Sequence, residues 1–215
     1  MTNLFSTFDP CTGFLSLNWI SITLITIILP MKFWNLPNKQ FILFNKTINM
    51  INKEINMLMK YKGTSIMFIS IFLLILTNNM MGLMPYIFTS SSHLSYSLTL
   101  ALPVWSGMML YGWLNKTNKM FIHMVPTGTP SILMPFMVVI ETISNIIRPG
   151  SLAVRLTANM IAGHLLMSLL GNNCSSNMIL IMSTIFITLM MFETAVAIIQ
   201  AYVFTMLSTL YSSEI

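Results

Sequence analysis

Residues 131 to 170 form an almost unbroken apolar run of about forty residues that nevertheless contains Glu141, Arg148, Arg155 and His164. At 1.5 Å per residue the run is about 60 Å long if helical throughout, twice the roughly 30 Å hydrocarbon core of a bilayer. Residues 178 to 211 repeat the pattern, about 51 Å if helical, with Glu193 and Gln200 inside. An ionisable side chain at membrane depth costs on the order of 2.5–3.5 kcal/mol on insertion scales, so such groups face a partner, a water-filled cavity or an ion path. Two over-long segments with such groups predict a hairpin of long, tilted, membrane-embedded helices. The alternative for the first is a chain that folds back at Arg148-Pro149-Gly150.

The rest of the chain agrees with a membrane setting. Only 7% of the 215 residues are charged, 55% are hydrophobic, and ten basic against five acidic residues leave a net charge of +5. With a mean hydropathy of +0.79, that is too little charge to coat a water-facing surface, which excludes an ordinary soluble domain, a disordered chain and a fibrous repeat. Most lysines sit in one segment between apolar stretches, so membrane topology explains the positive charge better than nucleic acid does. Cys11 and Cys174 are far apart and lack metal-ligand spacing, which favours two free thiols. Residues 1 to 13 contain no Lys or Arg, hence neither a secretory n-region nor an Arg-rich transit peptide, and the chain is expected to insert where it is made.

The predicted fold is an all-α membrane protein, one membrane domain over residues 1–215, with about three ordinary transmembrane helices. A first span covers 14–31, broken by Asn18 and Pro30. From 39 to 62 the apolar residues Phe41, Phe44, Ile48, Ile51, Ile55 and Leu58 recur at spacings of three and four, while Lys39, Lys46, Lys53 and Lys60 fall opposite them. That pattern predicts an amphipathic helix on the membrane surface, the less favoured alternative being a connecting helix docked on a partner. Spans at 64–84 and 94–114 form a helical hairpin around a serine-rich loop, Pro103 kinking the second. Lys116 and Lys119 then fall on the same side as the lysine-rich helix, which puts the N-terminus outside and the lysines inside. The long hairpin occupies 131–170 and 178–211.

The candidate chemistry lies in that hairpin. Glu141, Arg148 and Arg155 are seven apart and share a helical face, which Asn159 continues. Ser151, Ala158 and Ala162 are small residues spaced four, three and four with Arg155, so another helix can approach where the arginine points. Glu193, Ala197 and Gln200 repeat a polar, small, polar face on the last helix. One reading has carboxylates and an imidazole lining an aqueous proton route, with the permanently charged guanidinium meeting a partner's carboxylate and favouring proton release from it. Against it stand plain alternatives: an Arg155 ion pair with Glu141 or Glu193, a core His164, an interfacial Arg148 that snorkels, and Asn159 and Gln200 bonding only between helices. His93 and His123 fall in loops without a role, and the 22 Met residues read as apolar packing.

No glycine is followed by Lys-Ser or Lys-Thr, so no Walker A loop binds nucleotide, and no Ser-His-acid, Cys-His or HExxH arrangement is visible. Neither catalytic residues, a metal nor a cofactor is expected. Energy coupling must involve another subunit.

Three stretches carry a resemblance: Glu141-Thr-Ile-Ser-Asn-Ile-Ile-Arg-Pro-Gly, then Leu152-Ala-Val-Arg-Leu-Thr-Ala-Asn-Met-Ile-Ala-Gly-His-Leu-Leu, then Glu193-Thr-Ala-Val-Ala-Ile-Ile-Gln-Ala-Tyr-Val-Phe. In these the chain resembles the a subunits of mitochondrial F-type ATP synthases, most strongly over 126–211, in an organelle-encoded, invertebrate-like form. The resemblance implies a stator subunit of the inner membrane. It abuts a rotating c-ring and works with the peripheral stalk and other Fo membrane subunits, in contact with lipid but not with nucleotide or nucleic acid. It implies that Arg155 separates two proton half-channels, that His164 and Glu193 line the entry path with Asn159 and Gln200 nearby, and that Glu141 belongs to the matrix-side exit. Ser151, Ala158, Ala162 and Ala197 would be the ring contact. It gives Arg148 no role, since vertebrate members lack a charge there, and it places the N-terminus in the intermembrane space. A proton-coupled transporter would instead show broken helices paired by internal symmetry. A purely structural subunit would have no reason to keep Arg155, Glu141, His164 and Glu193 at membrane depth.

Overall fold

The computed structural model describes residues 4–11, 16–23, 36–59, 63–125, 128–172 and 179–214. Among the described residues six α-helices carry the fold: α1 (Lys39–Leu58), α2 (Thr64–Gly82), α3 (Leu94–Asn115), α4 (Thr117–Met124), α5 (Met134–Asn172) and α6 (Ile179–Glu214). Three 3-10 turns, Leu4–Phe8, Leu17–Thr23 and Ser90–Ser92, complete it, with no strand among the described residues. The protein is an all-α membrane protein in which α2, α5 and α6 are each long and apolar enough to cross a bilayer.

Of the expected first span at 14–31, residues 17–23 form a 3-10 helix, and residues 14, 15 and 24–31 lie outside the described part, as do Lys32, Lys60, Lys62 and Cys174. The amphipathic helix ends at Leu58, where Met59 turns extended. Its stripe faces inward as the periodicity requires: Ile55 is fully buried beside Phe68 of α2 and Val104 of α3. Lys39, Lys46 and Lys53 are exposed. The helix is thus docked at its C-terminal end, and the Tyr202 hydroxyl of α6 donates to the Glu54 carboxylate at 3.1 Å.

The long helices are continuous. α5 runs 39 residues through Pro149 without folding back, because a proline removes one backbone donor but neighbouring helices and hydroxyls can satisfy the freed group inside a bundle. α6 runs 36 residues. Hydrocarbon supplies no force that drives apolar helices together, so close approach by small residues holds them. Ala153 of α5 and Ala201 of α6 are both fully buried in one cluster with Phe72, Ile75, Leu156 and Phe204. Thr205, Ser208 and Thr209 on the same stripe of α6 are buried too, and their hydroxyls donate to carbonyls of the preceding turn at 2.8–3.2 Å, so their burial leaves no unpaired polar group.

Chain neighbours are not the main packing partners. α2 packs chiefly on α6 and α3 on α5, and α5 and α6 also pack on each other. The loop after α2 holds α2 and α3 together at its end, where the Asn78 amide donates to the Tyr96 hydroxyl at 2.8 Å. Gly63 begins α2 with φ +98°, a left-handed conformation that a side chain would strain. Replacing Ala201 by Leu puts a branched side chain where α2, α5 and α6 meet. Overpacking of this kind costs about 1–3 kcal/mol, and the expected result is a lower dissociation temperature for the subunit in detergent-solubilised complex.

Candidate functional site

Along α5 the polar residues fall into three stations. Glu141 and Arg155 are about 21 Å apart on the helix axis, and Arg155 and His164 about 13 Å. Packing gives each station a different setting.

At the Glu141 end, the side chains of Arg148 and Glu141 are 23% and 28% exposed, and charges converge from three helices. Arg148 reaches Glu214 at the end of α6 at 2.5 Å and Glu141 at 3.7 Å. Its guanidinium lies 4.9 Å from the Tyr211 ring centroid. His123 Nδ1 of α4 stands 4.0 Å from Glu141. One cation thus bridges two carboxylates, a geometry suited to the fork of an arginine. A cavity of about 30 Å³ lies here, lined by His123, Asn145, Arg148, Tyr211 and Glu214, room for about one water. Neither Arg148 nor His123 was given a role by sequence, and Glu214, close to the chain end, carries no signal that separates it from a solvated terminal charge.

At the other end, Glu193 is 6% exposed at mid-α6 and lies against Gly163 of α5. A Cβ added at Gly163 would collide with the Glu193 carboxylate. His164 follows directly, half-buried, with the Gly82 backbone as a hydrogen-bond partner and its Nε2 buried without one. Gln200 is buried and Asn159 half-buried. The imidazole opens on a cavity of about 580 Å³ between the loop after α2, α5, α6 and the N-terminal segment. Deeper in this end, Asn79 is fully buried with both amide atoms unpartnered, and Ser91 Oγ is likewise unpartnered. Buried polar groups of this kind are served by water. Sequence reading missed Gly163, Asn78, Asn79 and Tyr96, because a glycine or an amide in an apolar run looks like packing.

Arg155 lies between these stations and joins neither. It is exposed, and Ser151, Ala158 and Ala162 are exposed with it on the outer face of α5. Among the described residues no carboxylate stands within ion-pair distance of its guanidinium, so the ion pair with Glu141 or Glu193 does not form. Ala197 departs from expectation. It is fully buried beside Leu83 and Met167 and is no outward contact, since the face it shares with Glu193 and Gln200 turns into the bundle. A further cavity of about 340 Å³ between Met67, Phe68, Val104 and Met108 has no charged or histidine residue among its described lining. Among the described residues no group of three His, Cys, Asp or Glu side chains is placed to hold a metal.

Ionisable groups gathered at two separate ends of a pair of long apolar helices, with an outward arginine between them, define the class as a polytopic membrane protein. The model of the ATP synthase A chain family matches residues 15–213. The chain is 56% identical over its full length to ATP synthase subunit a of Anopheles quadrimaculatus and 57% to that of Aedes aegypti, and covers 99% of each. Identity with the Drosophila simulans subunit a is 57%, again over the whole chain and 99% of that protein. The chain belongs to the ATP synthase A chain family, and is a multi-pass, proton-translocating component of the synthase's Fo membrane sector in the mitochondrial inner membrane, where it works with other Fo subunits.

Gly163→Ala tests the Glu193 station. Alanine favours a helix over glycine by up to about 1 kcal/mol, so the helix itself gains, yet the carboxylate must move. A misplacement of about 1 Å at a reacting group costs on the order of 100-fold. The expected outcome is ATP synthesis reduced by one to two orders of magnitude in membranes that retain the assembled complex.

Proposed function

We propose that the chain is the stator subunit that offers protons two aqueous half-channels to the carboxylates of a rotating c-ring, with Arg155 blocking a direct leak between them. The observation that carries this reading is the isolation of Arg155, an exposed cation on a face of small residues that none of the described carboxylates neutralises. A charge on such a face at membrane depth is costly unless a partner supplies the counter-charge, and a ring helix with a carboxylate fits beside Ser151, Ala158 and Ala162.

The residues then divide the work. A proton enters from the intermembrane space through the large cavity, passes His164 and Glu193 with Asn159 and Gln200 beside the path, and neutralises a ring carboxylate, which can then face lipid. After nearly a full turn the protonated carboxylate reaches the exit side, where Glu141 accepts the proton and passes it to the matrix. The bared carboxylate meets Arg155, whose charge lowers its proton affinity and so favours release. Because the guanidinium stays protonated, it transmits no proton between the two sides. α1 lies on the matrix surface, and the N-terminus faces the intermembrane space, as the lysine distribution indicates. The ring, the peripheral stalk and neighbouring Fo subunits are the partners.

The decisive experiment is Arg155→Ala in membranes carrying the assembled complex, scored for proton conduction and for ATP synthesis under an imposed pH gradient. Loss of synthesis with leak retained or raised is the expected result. Normal synthesis would sink the reading and leave the arginine a structural role. Orientation is checked separately with a membrane-impermeant maleimide, which should label Cys11 from the intermembrane side in intact inner membranes and not from the matrix side in inverted ones.

A further inference from the structure

The N-terminal segment carries no motif, yet it forms part of the wall of the large cavity. Ser6, Asp9 and Asn18 line the cavity together with His164 and Ser168. Phe8 sets its ring edge-on to the His164 imidazole at 6.1 Å between centroids, so the Leu4–Phe8 turn reaches the histidine itself. The next residues hold a fixed shape. Asp9 Oδ1 accepts the Cys11 backbone N–H at 3.0 Å, and the Asn18 amide lies 3.5 Å from the Asp9 carbonyl.

Asp9 is exposed, and among the described lining residues it is the one carboxylate, with no Lys or Arg beside it. The titratable groups around it are the Cys11 thiol, the Tyr86 hydroxyl and His164. A cleft whose fixed charge has one sign concentrates counter-ions at its mouth and raises their capture rate by about 10–1,000-fold, an effect that salt removes. The cation to be captured here is the proton, which is scarce in neutral water.

We propose that Asp9 is the outermost proton acceptor of the entry path, a carboxylate that collects protons from intermembrane water at the mouth of the cavity that ends on His164. The step balances simply: the carboxylate takes a proton from a hydronium ion, passes it to cavity water on the way to His164 and Glu193, and returns to its anionic form. This inference rests on the proton-path reading above and assigns the N-terminal segment to it. Asp9 also acts on its neighbour, for its hydrogen bond and then its charge push the Cys11 thiol above the ordinary range, which reduces the thiolate available at neutral pH.

The test compares Asp9→Asn, Asp9→Glu and Glu193→Gln with the parent complex in vesicles, reading proton conduction through the membrane sector after the nucleotide-binding part is stripped. Asp9→Asn should slow conduction about threefold or more at low ionic strength and converge on the parent near 1 M salt, where the screening length is about 3 Å. Asp9→Glu should restore the rate. A merely structural role for Asp9 would not give that salt dependence. If Asp9→Asn conducts like the parent at every salt concentration while Glu193→Gln does not conduct, this inference is overturned and the proton-path reading stands. If Glu193→Gln also conducts like the parent, both fall. Should the Asp9 variants fail to assemble, a Cys174→Ser complex treated with a cationic methanethiosulfonate at Cys11 places a fixed positive charge beside Asp9. Conduction should then drop severalfold and recover on reduction, and an unchanged rate overturns the proposal.

Discussion

A carboxylate can sit at mid-helix inside this bundle because the residue opposite it has no side chain. Glu193 fills the space a Cβ of Gly163 would occupy, so the approach of α5 to α6 and the placement of the acid are a single fact. Packing by small residues is what hydrocarbon leaves available to hold helices together, and here it serves a second purpose. Ala197 and Ala201 continue the same stripe of α6 at full burial. The polar residues Glu193, Gln200, Thr205 and Ser208 thereby share a seam with alanines instead of facing lipid. A bulkier seam would separate the helices and expose the acid.

The two ends differ in how their charge is balanced. At the Glu141 end one guanidinium lies between two carboxylates and over a tyrosine ring, and the groups are partly exposed, so each pair contributes little on its own. Their effect is geometric: the last turn of α6 is tied to the middle of α5. At the other end no cation among the described residues pairs with Glu193, and the neighbouring His164 lines a cavity of about 580 Å³ with its Nε2 unpaired. Water solvates what the protein does not pair. One end is therefore tied by ion pairs, and the other packs its acid against a glycine.

Much of this was legible in the sequence because membrane burial enforces strong rules. The over-long apolar runs predict membrane-embedded helices, and the stripe of Phe41 to Leu58 falls on the inward side of α1. Seven-residue spacing brings Arg148 to Glu141, as helix geometry requires. Three things were not legible. Pro149 left open whether α5 folds back, since tolerance of a proline depends on neighbours that a single chain pattern does not reveal. Ala197 was assigned outward because periodicity gives a face but not the direction in which that face turns. Glu214 and Gly163 lie far in sequence from the groups they meet, Asp9 shares a cavity with the distant His164, and none of the three is marked by a local pattern.

The exposure of Arg155 is the feature the chain cannot satisfy alone. Arg148, seven residues earlier, shows what this fold does with an arginine it can neutralise: two carboxylates and an aromatic ring surround it. Arg155 has small residues on its face and no acid among the described residues. The same helix thus pairs one guanidinium internally and leaves the next one bare, with the flanking side chains too short to shield it. A permanently bonded partner would remove the cost but also fix the pair. A partner whose carboxylate is ionised only while it passes, and neutral before and after, removes the cost and still lets the surface slide. That preference follows from the desolvation of charge in hydrocarbon together with an arginine that does not give up its proton, and under the function proposed above the outward face of α5 is the surface on which the ring slides.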